Sequence, residues 1–97
     1  MKIIINNREL EFSFVGFGPL YIYETLQGEV FTGELTRNVH MLIYSTLFFC
    51  NRAEGFSMNF DEFSAWLYEH PEEEGQMTSA IAAEVERRNS LRAKKKE

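Results

Sequence analysis

The residues best suited to nucleophilic chemistry are a single cysteine, Cys50, and two histidines, His40 and His70. A Cys–His pair works when the imidazole lies within hydrogen-bond reach of the thiol. The pattern of apolar residues places His40 and Cys50 on one predicted helix, ten residues or about 15 Å apart along its axis. The two side chains cannot meet there, and Cys50 is predicted to be a buried thiol. We therefore predict no catalytic residue and no enzymatic activity.

Two other patterns contain residue types that are found in metal or cofactor sites. The segment Glu69-His70-Pro71-Glu72-Glu73-Glu74 is rich in donor atoms but lacks the ligand spacing of a zinc or calcium site. Acidic residues at a helix start are explained by the helix dipole. Gly16 and Gly18 lack the third glycine and the parallel βαβ context of a dinucleotide loop, which favours a turn. No metal and no cofactor is predicted.

A stripe of apolar residues on the last predicted helix is the candidate for binding another protein. It consists of Met77, Ile81, Val85 and Leu91. Such a narrow stripe either docks on the protein's own core or binds a partner. The sequence leaves both alternatives open, and these four residues are the predicted partner-binding residues.

The N-terminal residues predict an antiparallel β-hairpin. Residues 2–6 are rich in isoleucine, and residues 9–15 alternate polar with apolar side chains, as in a strand with one buried face. Leu10, Phe12 and Phe14 form the expected core face. Asn6, Asn7 and Arg8 separate the strands, and Asn tolerates the positive φ of a tight turn.

Two helices are predicted next. Residues 20–27 form a short helix that follows Pro19 and ends at Gly28. Residues 34–52 carry apolar side chains around most of the circumference, so this helix is expected at the centre of the fold. Its apolar residues at helical spacing are Leu35, Val39, Leu42, Ile43, Leu47 and Cys50.

The C-terminal half predicts two further helices. One begins at the capping residue Asn59, with Glu62 placed to reach back to the cap, and ends before Pro71. The other runs on from Pro71 and includes a Glu84–Arg88 pair at i,i+4 spacing. The prediction is an α+β fold, an N-terminal antiparallel β-hairpin packed on a small bundle of about four helices. A single domain spans residues 1–90, and a charged, flexible tail spans residues 91–97.

Charge is divided unevenly along the chain. Residues 1–86 carry four basic and fourteen acidic side chains, whereas residues 87–97 carry six basic and one acidic. An acidic body repels a phosphate backbone, which argues against nucleic acid as the partner. With 44% hydrophobic residues in 97, the chain can close one core.

Cysteine content and hydropathy bear on the compartment. A single cysteine allows no internal disulfide, which fits a reducing environment. The longest apolar run, residues 41–50, has half of the roughly 20 residues needed to cross a bilayer. The apolar start is too short for a signal peptide. A cytoplasmic protein without membrane association is predicted.

The order of elements resembles the short tail assembly chaperones of long-tailed bacteriophages and prophages. The resemblance is carried by the hairpin with Asn6-Asn7-Arg8 at its turn, followed by Phe14, Leu20, Glu24, Thr25 and Gly28, and then by amphipathic helices and a charged tail. It implies a protein of the bacterial host cytoplasm that binds the long tape measure protein while tail subunits polymerise. The family supplies no fixed functional residues.

Two other classes remain as alternatives. One is a small phage-encoded regulatory or nucleic-acid-associated accessory protein that uses the basic tail. The other is an enzyme subunit whose site forms only in an oligomer. Self-association is left open by the sequence.

Overall fold

The computed structural model describes residues 1–33 and 36–96. Its elements are β1 (Lys2–Ile5), β2 (Arg8–Glu11), α1 (Gly18–Gln27), α2 (Thr36–Asn51), a 3₁₀ turn (Arg52–Glu54), α3 (Phe60–Glu69) and α4 (Pro71–Lys96). The predicted α+β fold, with a hairpin on a small helical bundle, is confirmed. Glu34 and Leu35, predicted to begin the second helix, lie outside the described residues.

The hairpin has the predicted turn. β1 and β2 pair antiparallel from Lys2 opposite Glu11 to Ile5 opposite Arg8. Asn6 and Asn7 form the turn with φ of 51° and 64°. The side chains that the hairpin and the segment after it bury are Ile3, Ile5, Leu10, Phe12 and Phe14.

β2 ends four residues earlier than predicted. The amide of Phe12 still donates to the Met1 carbonyl at 2.8 Å, and the Met1 amino group donates back to the Phe12 carbonyl at 2.9 Å. The ladder partners of β2 are residues 2–5 of β1, and none of these lies opposite residues 13–15. A strand needs a partner for its backbone, and alternation of side chains alone does not supply one.

α1 packs against α2, and a glycine makes their close approach feasible. Gly18 opens α1, and a Cβ atom there would clash with the ring of Phe49 on α2. Gly16, by contrast, turns the chain with a φ of 67°. Gly28 ends the helix in the left-handed conformation, as predicted.

α2 is the central helix, as predicted. Leu42, Ile43 and Leu47 are fully buried. Ser45 and Thr46 are buried as well, and their hydroxyls donate to the carbonyls of Met41 and Leu42 at 2.7 and 2.8 Å. The two hydroxyl groups can be buried because each hydrogen-bonds within its own helix.

Asn51 joins the end of α2 to the free edge of β2. Its side-chain oxygen accepts from the Glu11 amide at 3.0 Å, and its nitrogen donates to the Glu11 carbonyl at 2.8 Å. The same nitrogen donates to the Leu47 carbonyl at 2.8 Å. The amide group thus pairs with β2 much as a residue of a neighbouring strand pairs.

α3 begins and ends as predicted. The side chain of Asn59 accepts from the Glu62 amide at 2.8 Å and donates to the Glu62 carboxylate at 2.7 Å. The helix stops at Glu69, before Pro71. Phe63, Trp66 and Leu67 are its buried residues.

α4 runs through most of the segment predicted as a tail. It spans 26 residues, or about 39 Å, and the molecule measures 48 × 27 × 27 Å. Residues 91–96 belong to this helix, so the predicted domain boundary falls inside a regular element. The flexibility expected of that segment stays a prediction.

Candidate partner-binding groove

Two of the four predicted partner-binding residues belong to the core. Met77 is 0% exposed and Ile81 is 4% exposed. Both pack in the single core cluster together with residues of the hairpin, α2 and α3. In this arrangement Met77 and Ile81 anchor α4 to the body, so the first half of the stripe docks on its own fold.

The other two residues, Val85 and Leu91, remain at the surface on different faces of α4. Val85 is 37% exposed and Leu91 is 46% exposed. Six residues of helix separate them by about 120° around the axis. The four residues therefore do not form one surface, because the spacing between Val85 and Leu91 does not follow the helical repeat.

Val85 lies in an apolar groove of about 570 Å³ that runs along α4. We call it the α4 groove. The α4 residues that line the groove are Thr78, Ile81, Ala82, Val85, Glu86, Asn89, Ser90 and Ala93. Short side chains such as Ala82 and Ala93 leave room for another element to approach the helix.

The opposite side of the α4 groove is formed by Phe31, Gly33 and Val39. Phe31 is half-buried, and its ring meets the ring of Tyr23 edge to face at a centroid distance of 5.4 Å. Thr32 accepts a hydrogen bond from the Asn38 amide of α2 at 3.4 Å. These contacts hold the loop after α1 in place, so the groove has two supported walls.

A smaller cavity of about 220 Å³ continues from the groove toward α1. It shares Phe31, Val85 and Asn89 with the α4 groove. Its other lining includes Glu24 and Arg92, so this end is more polar. A partner side chain that followed the groove would pass from an apolar surface to one with charges.

Arg88 fixes the middle of α4 against the segment after the hairpin. Its guanidinium lies 4.9 Å from the ring centroid of Phe14 and 5.5 Å from that of Phe17. It donates to the Gly16 carbonyl at 2.5 Å and to the Glu84 carboxylate at 3.2 Å. The predicted Glu84–Arg88 pair is confirmed, and it belongs to a larger anchor.

Glu84 is shared between two arginines. Arg87 and then Arg88 hold the pKa of the Glu84 carboxyl below its ordinary value of 4.5 through hydrogen bonds and opposite charge. The same pairing raises the pKa of the Arg87 guanidinium above its ordinary value. Much of the positive charge at this point of α4 is therefore balanced within the protein.

The two ends of α4 carry opposite charge. Glu72, Glu73 and Glu74 lie in the first turn, where the helix dipole favours acidic residues. Glu74 also lies 3.5 Å from the His40 imidazole. Basic residues predominate at the other end, from Arg87 onward. The helix consequently has one acidic and one basic end.

The candidate residues for chemistry do not come together. Cys50 donates from its thiol to the Ser13 carbonyl at 3.4 Å, and burial raises the pKa of that thiol. His40, ten residues earlier on α2, lies beside Glu74 instead. Within residues 1–33 and 36–96, no group of three or more His, Cys, Asp or Glu side chains is arranged to hold a metal ion.

The described helices also bear on the question of a membrane. None of those within the described ranges is both long enough and apolar enough to cross a bilayer.

Three features of this region were missed by the sequence prediction. Phe31 was assigned only to a connecting loop, although it forms a wall of the groove. Arg88 was expected to pair with Glu84 alone, and Asn51 was given no role. A large aromatic in the short loop between two helices was the available signal, since such a side chain usually finds something to cover it.

Comparisons of this chain with protein-family models, with curated proteins and with solved structures find no match.

Proposed function

We propose that this chain is a binding protein that holds an apolar helical segment of another protein in the α4 groove, and that it serves as a phage tail assembly chaperone for a tape measure protein. The observation that carries the proposal is the groove itself. It has apolar side chains on two supported walls, with Val85 exposed between them. Grooves of this kind accept amphipathic helices through apolar side chains at helical spacing.

The identity of the partner rests on the resemblance in layout. The hairpin with its Asn6-Asn7 turn, the short helix ended by Gly28 and the helical C-terminal half are the features that resemble tail assembly chaperones. A tape measure protein is long and helical and offers many apolar segments. The acidic body would help to keep such a complex in solution.

The nucleic-acid alternative has less support. Arg87 and Arg88 would be the first basic residues to meet a phosphate backbone, but both are paired with Glu84. The rest of the body is acidic. Phosphate contacts provide most of the affinity of such proteins, and Arg92 and the three lysines after it would have to attract phosphate beside an acidic body.

The test is co-expression with a long helical protein, which the proposal expects to be encoded beside this chain's gene. Val85→Asp places a charge in the groove, and the expected result is loss of the soluble complex. Tyr68→Asp is the matched control, because Tyr68 is 89% exposed on α3, away from the groove. Leu91→Asp is a second control on the other face of α4. Ile81→Asp is unsuitable as a surface probe, because Ile81 is buried.

Complex formation by the parent and by both controls, with loss for Val85→Asp, supports the groove. Equal binding by Val85→Asp, with its circular dichroism spectrum unchanged, would exclude the groove as the binding surface. A parent protein that never associates with the long partner would refute the chaperone proposal.

A further inference from the structure

The cavity of about 220 Å³ that continues from the α4 groove toward α1 combines an apolar lining with several polar side chains. We call it the α1 cavity. Its apolar lining is formed by Phe14, Leu20, Val30, Phe31 and Val85. Its polar lining is formed by Glu24, Arg88, Asn89 and Arg92. The glutamate comes from α1 and the other three polar residues come from α4, so the cavity has polar groups on both sides.

Three of the four polar side chains lack a partner within residues 1–33 and 36–96. Arg88 is engaged, since it donates to the Gly16 carbonyl. Glu24, Asn89 and Arg92 make no side-chain hydrogen bond or ion pair with any residue that the structure describes. Glu24 and Arg92 thus line one cavity with opposite charges and do not pair with each other. A group that donates to the carboxylate and accepts from the guanidinium would satisfy both.

The volume of the α1 cavity suits one large side chain. Pockets that take small molecules measure about 300 to 1,000 Å³, and this cavity is smaller. Two aromatic rings of its lining are held in place. Phe14 is buried, with the Arg88 guanidinium 4.9 Å from its ring centroid, and Phe31 meets Tyr23 edge to face. A third ring placed beside them would gain contact area and aromatic pairing.

From this lining we infer that the α1 cavity receives a tyrosine side chain of the segment held in the α4 groove, with the phenol hydroxyl donating to Glu24 and accepting from Arg92. The inference rests on the proposed function, because it names a residue of the bound partner. Phe31, Val85 and Asn89 line both the groove and the cavity, so one segment can occupy both.

Other side chains match this lining less well. Leucine and phenylalanine would cover the apolar part but would bring no hydrogen bond to the two charged groups. The indole of tryptophan only donates, and a carboxylate only accepts. Asparagine and glutamine do both but have no ring to place against Phe14 and Phe31. The phenol of tyrosine donates, accepts and carries a large ring.

The probe is 4-methylphenol, the tyrosine side chain alone, titrated into the ¹⁵N-labelled full chain and followed by NMR. We expect a dissociation constant in the millimolar range, the scale for so small a fragment, with shifts concentrated at the amides of Phe31, Val85 and Asn89. Toluene, which lacks the hydroxyl, should bind about fivefold more weakly or worse. Toluene binding as tightly as 4-methylphenol, or shifts confined to other parts of the chain, would overturn the inference.

A second compound separates tyrosine from histidine. The neutral imidazole of 4-methylimidazole also donates and accepts, but it brings less apolar surface to the ring of Phe31. It should bind more weakly than 4-methylphenol. Tighter binding of the imidazole would mean that the cavity does not select tyrosine.

Variants of the two charged residues test the hydrogen bonds. Glu24→Leu removes the acceptor and should weaken 4-methylphenol by about fivefold or more without weakening toluene. Glu29→Leu is the matched control, since Glu29 is exposed just after α1 and does not line the cavity. Arg92→Leu removes the donor and is an independent probe of the same site. Circular dichroism checks that each variant is folded, and full affinity for 4-methylphenol in both Glu24→Leu and Arg92→Leu would overturn the inference.

These titrations use this chain alone, so their failure is distinguishable from failure of the proposed function. A parent chain that does not bind 4-methylphenol overturns the tyrosine cavity and leaves the α4 groove open to an apolar segment. A chain that binds 4-methylphenol but never captures a long helical partner upholds the cavity as a phenol site and refutes the chaperone proposal.

Discussion

α2 and α4 are the two longest helices that the structure describes, and they are buried to very different degrees. Half of the sixteen residues of α2 are buried, including the polar side chains of Asn38, Ser45, Thr46 and Asn51. Among the described side chains of α4, only Met77 and Ile81 are buried. α2 is contacted by the hairpin, α1, α3 and α4, whereas α4 meets the body along one edge.

The contrast shows what each helix can contribute. A helix buried on most sides supplies stability, because each of its side chains is surrounded by partners. α4 is held mainly by Met77, Ile81 and Arg88, so the rest of its surface remains available for binding. The following predictions test this difference, in order of decreasing effect.

The largest effect is expected in the core face of α2. Leu47→Ala should lower the free energy of unfolding by about 2 to 5 kcal/mol, as for a buried leucine that leaves a cavity. Leu91→Ala on α4 should change it by no more than about 0.5 kcal/mol, since that side chain is at the surface. Urea denaturation of both variants measures the difference. Similar midpoints would mean that α4 is as deeply packed as α2.

Asn51→Ala tests the junction between α2 and β2. The substitution leaves the Glu11 amide and carbonyl without their partner, at a cost of about 1 to 3 kcal/mol for buried polar groups. Asn51→Asp keeps the acceptor but places a carboxylate oxygen against the Glu11 and Leu47 carbonyls, so it should cost at least as much. Urea midpoints rank the variants, and an unchanged Asn51→Ala midpoint would show that water replaces the amide at no cost.

Arg88 and Arg87 are neighbours on α4, and substituting each in turn gives a matched comparison. Arg88→Ala removes contacts with two aromatic rings and a backbone carbonyl and should cost about 1 to 2 kcal/mol. Arg87→Ala removes only an exposed ion pair and should leave the stability nearly unchanged. Amide hydrogen exchange in α4 should speed up for Arg88→Ala alone. Equal effects would contradict the role of Arg88 as the anchor of the helix.

The cap of α3 is expected to contribute less than the core. Asn59→Ala should cost about 0.5 to 2 kcal/mol, because one amide at the helix start loses its acceptor. Asn59→Ser, which keeps a capping oxygen, should recover most of the loss. The comparison with Leu47→Ala in the same denaturant series ranks cap and core, and a reversed order would mean that one of them is misplaced.

The smallest effect concerns pH. The Glu84 carboxyl has a lowered pKa in the folded protein, so the stability it contributes is present above its unfolded pKa, near 4.5, and is lost as pH falls through the folded value. Glu84→Gln should therefore reduce the loss of melting temperature between pH 5 and more acidic values. Glu86→Gln is the control, and identical pH profiles for both variants would contradict the assignment.

The sequence by itself determined the local elements and the buried faces. The two asparagines fixed the hairpin turn, Gly28 and Pro71 fixed helix ends, and Asn59 fixed a helix start. The apolar pattern of residues 34–52 was sufficient to identify the central helix, which the structure describes as Thr36–Asn51. These features depend on neighbours in the chain, and a sequence displays such neighbours directly.

Only the tertiary structure decided which residues of the apolar stripe on α4 are buried and which are exposed. Periodicity grouped Met77, Ile81 and Val85, but it could not show that the body covers the first two and leaves the third exposed. Nor could it show that Phe31, more than fifty residues from Val85, supplies the facing wall of the groove. Burial and grooves depend on which distant segments meet, and local spacing carries no record of those contacts.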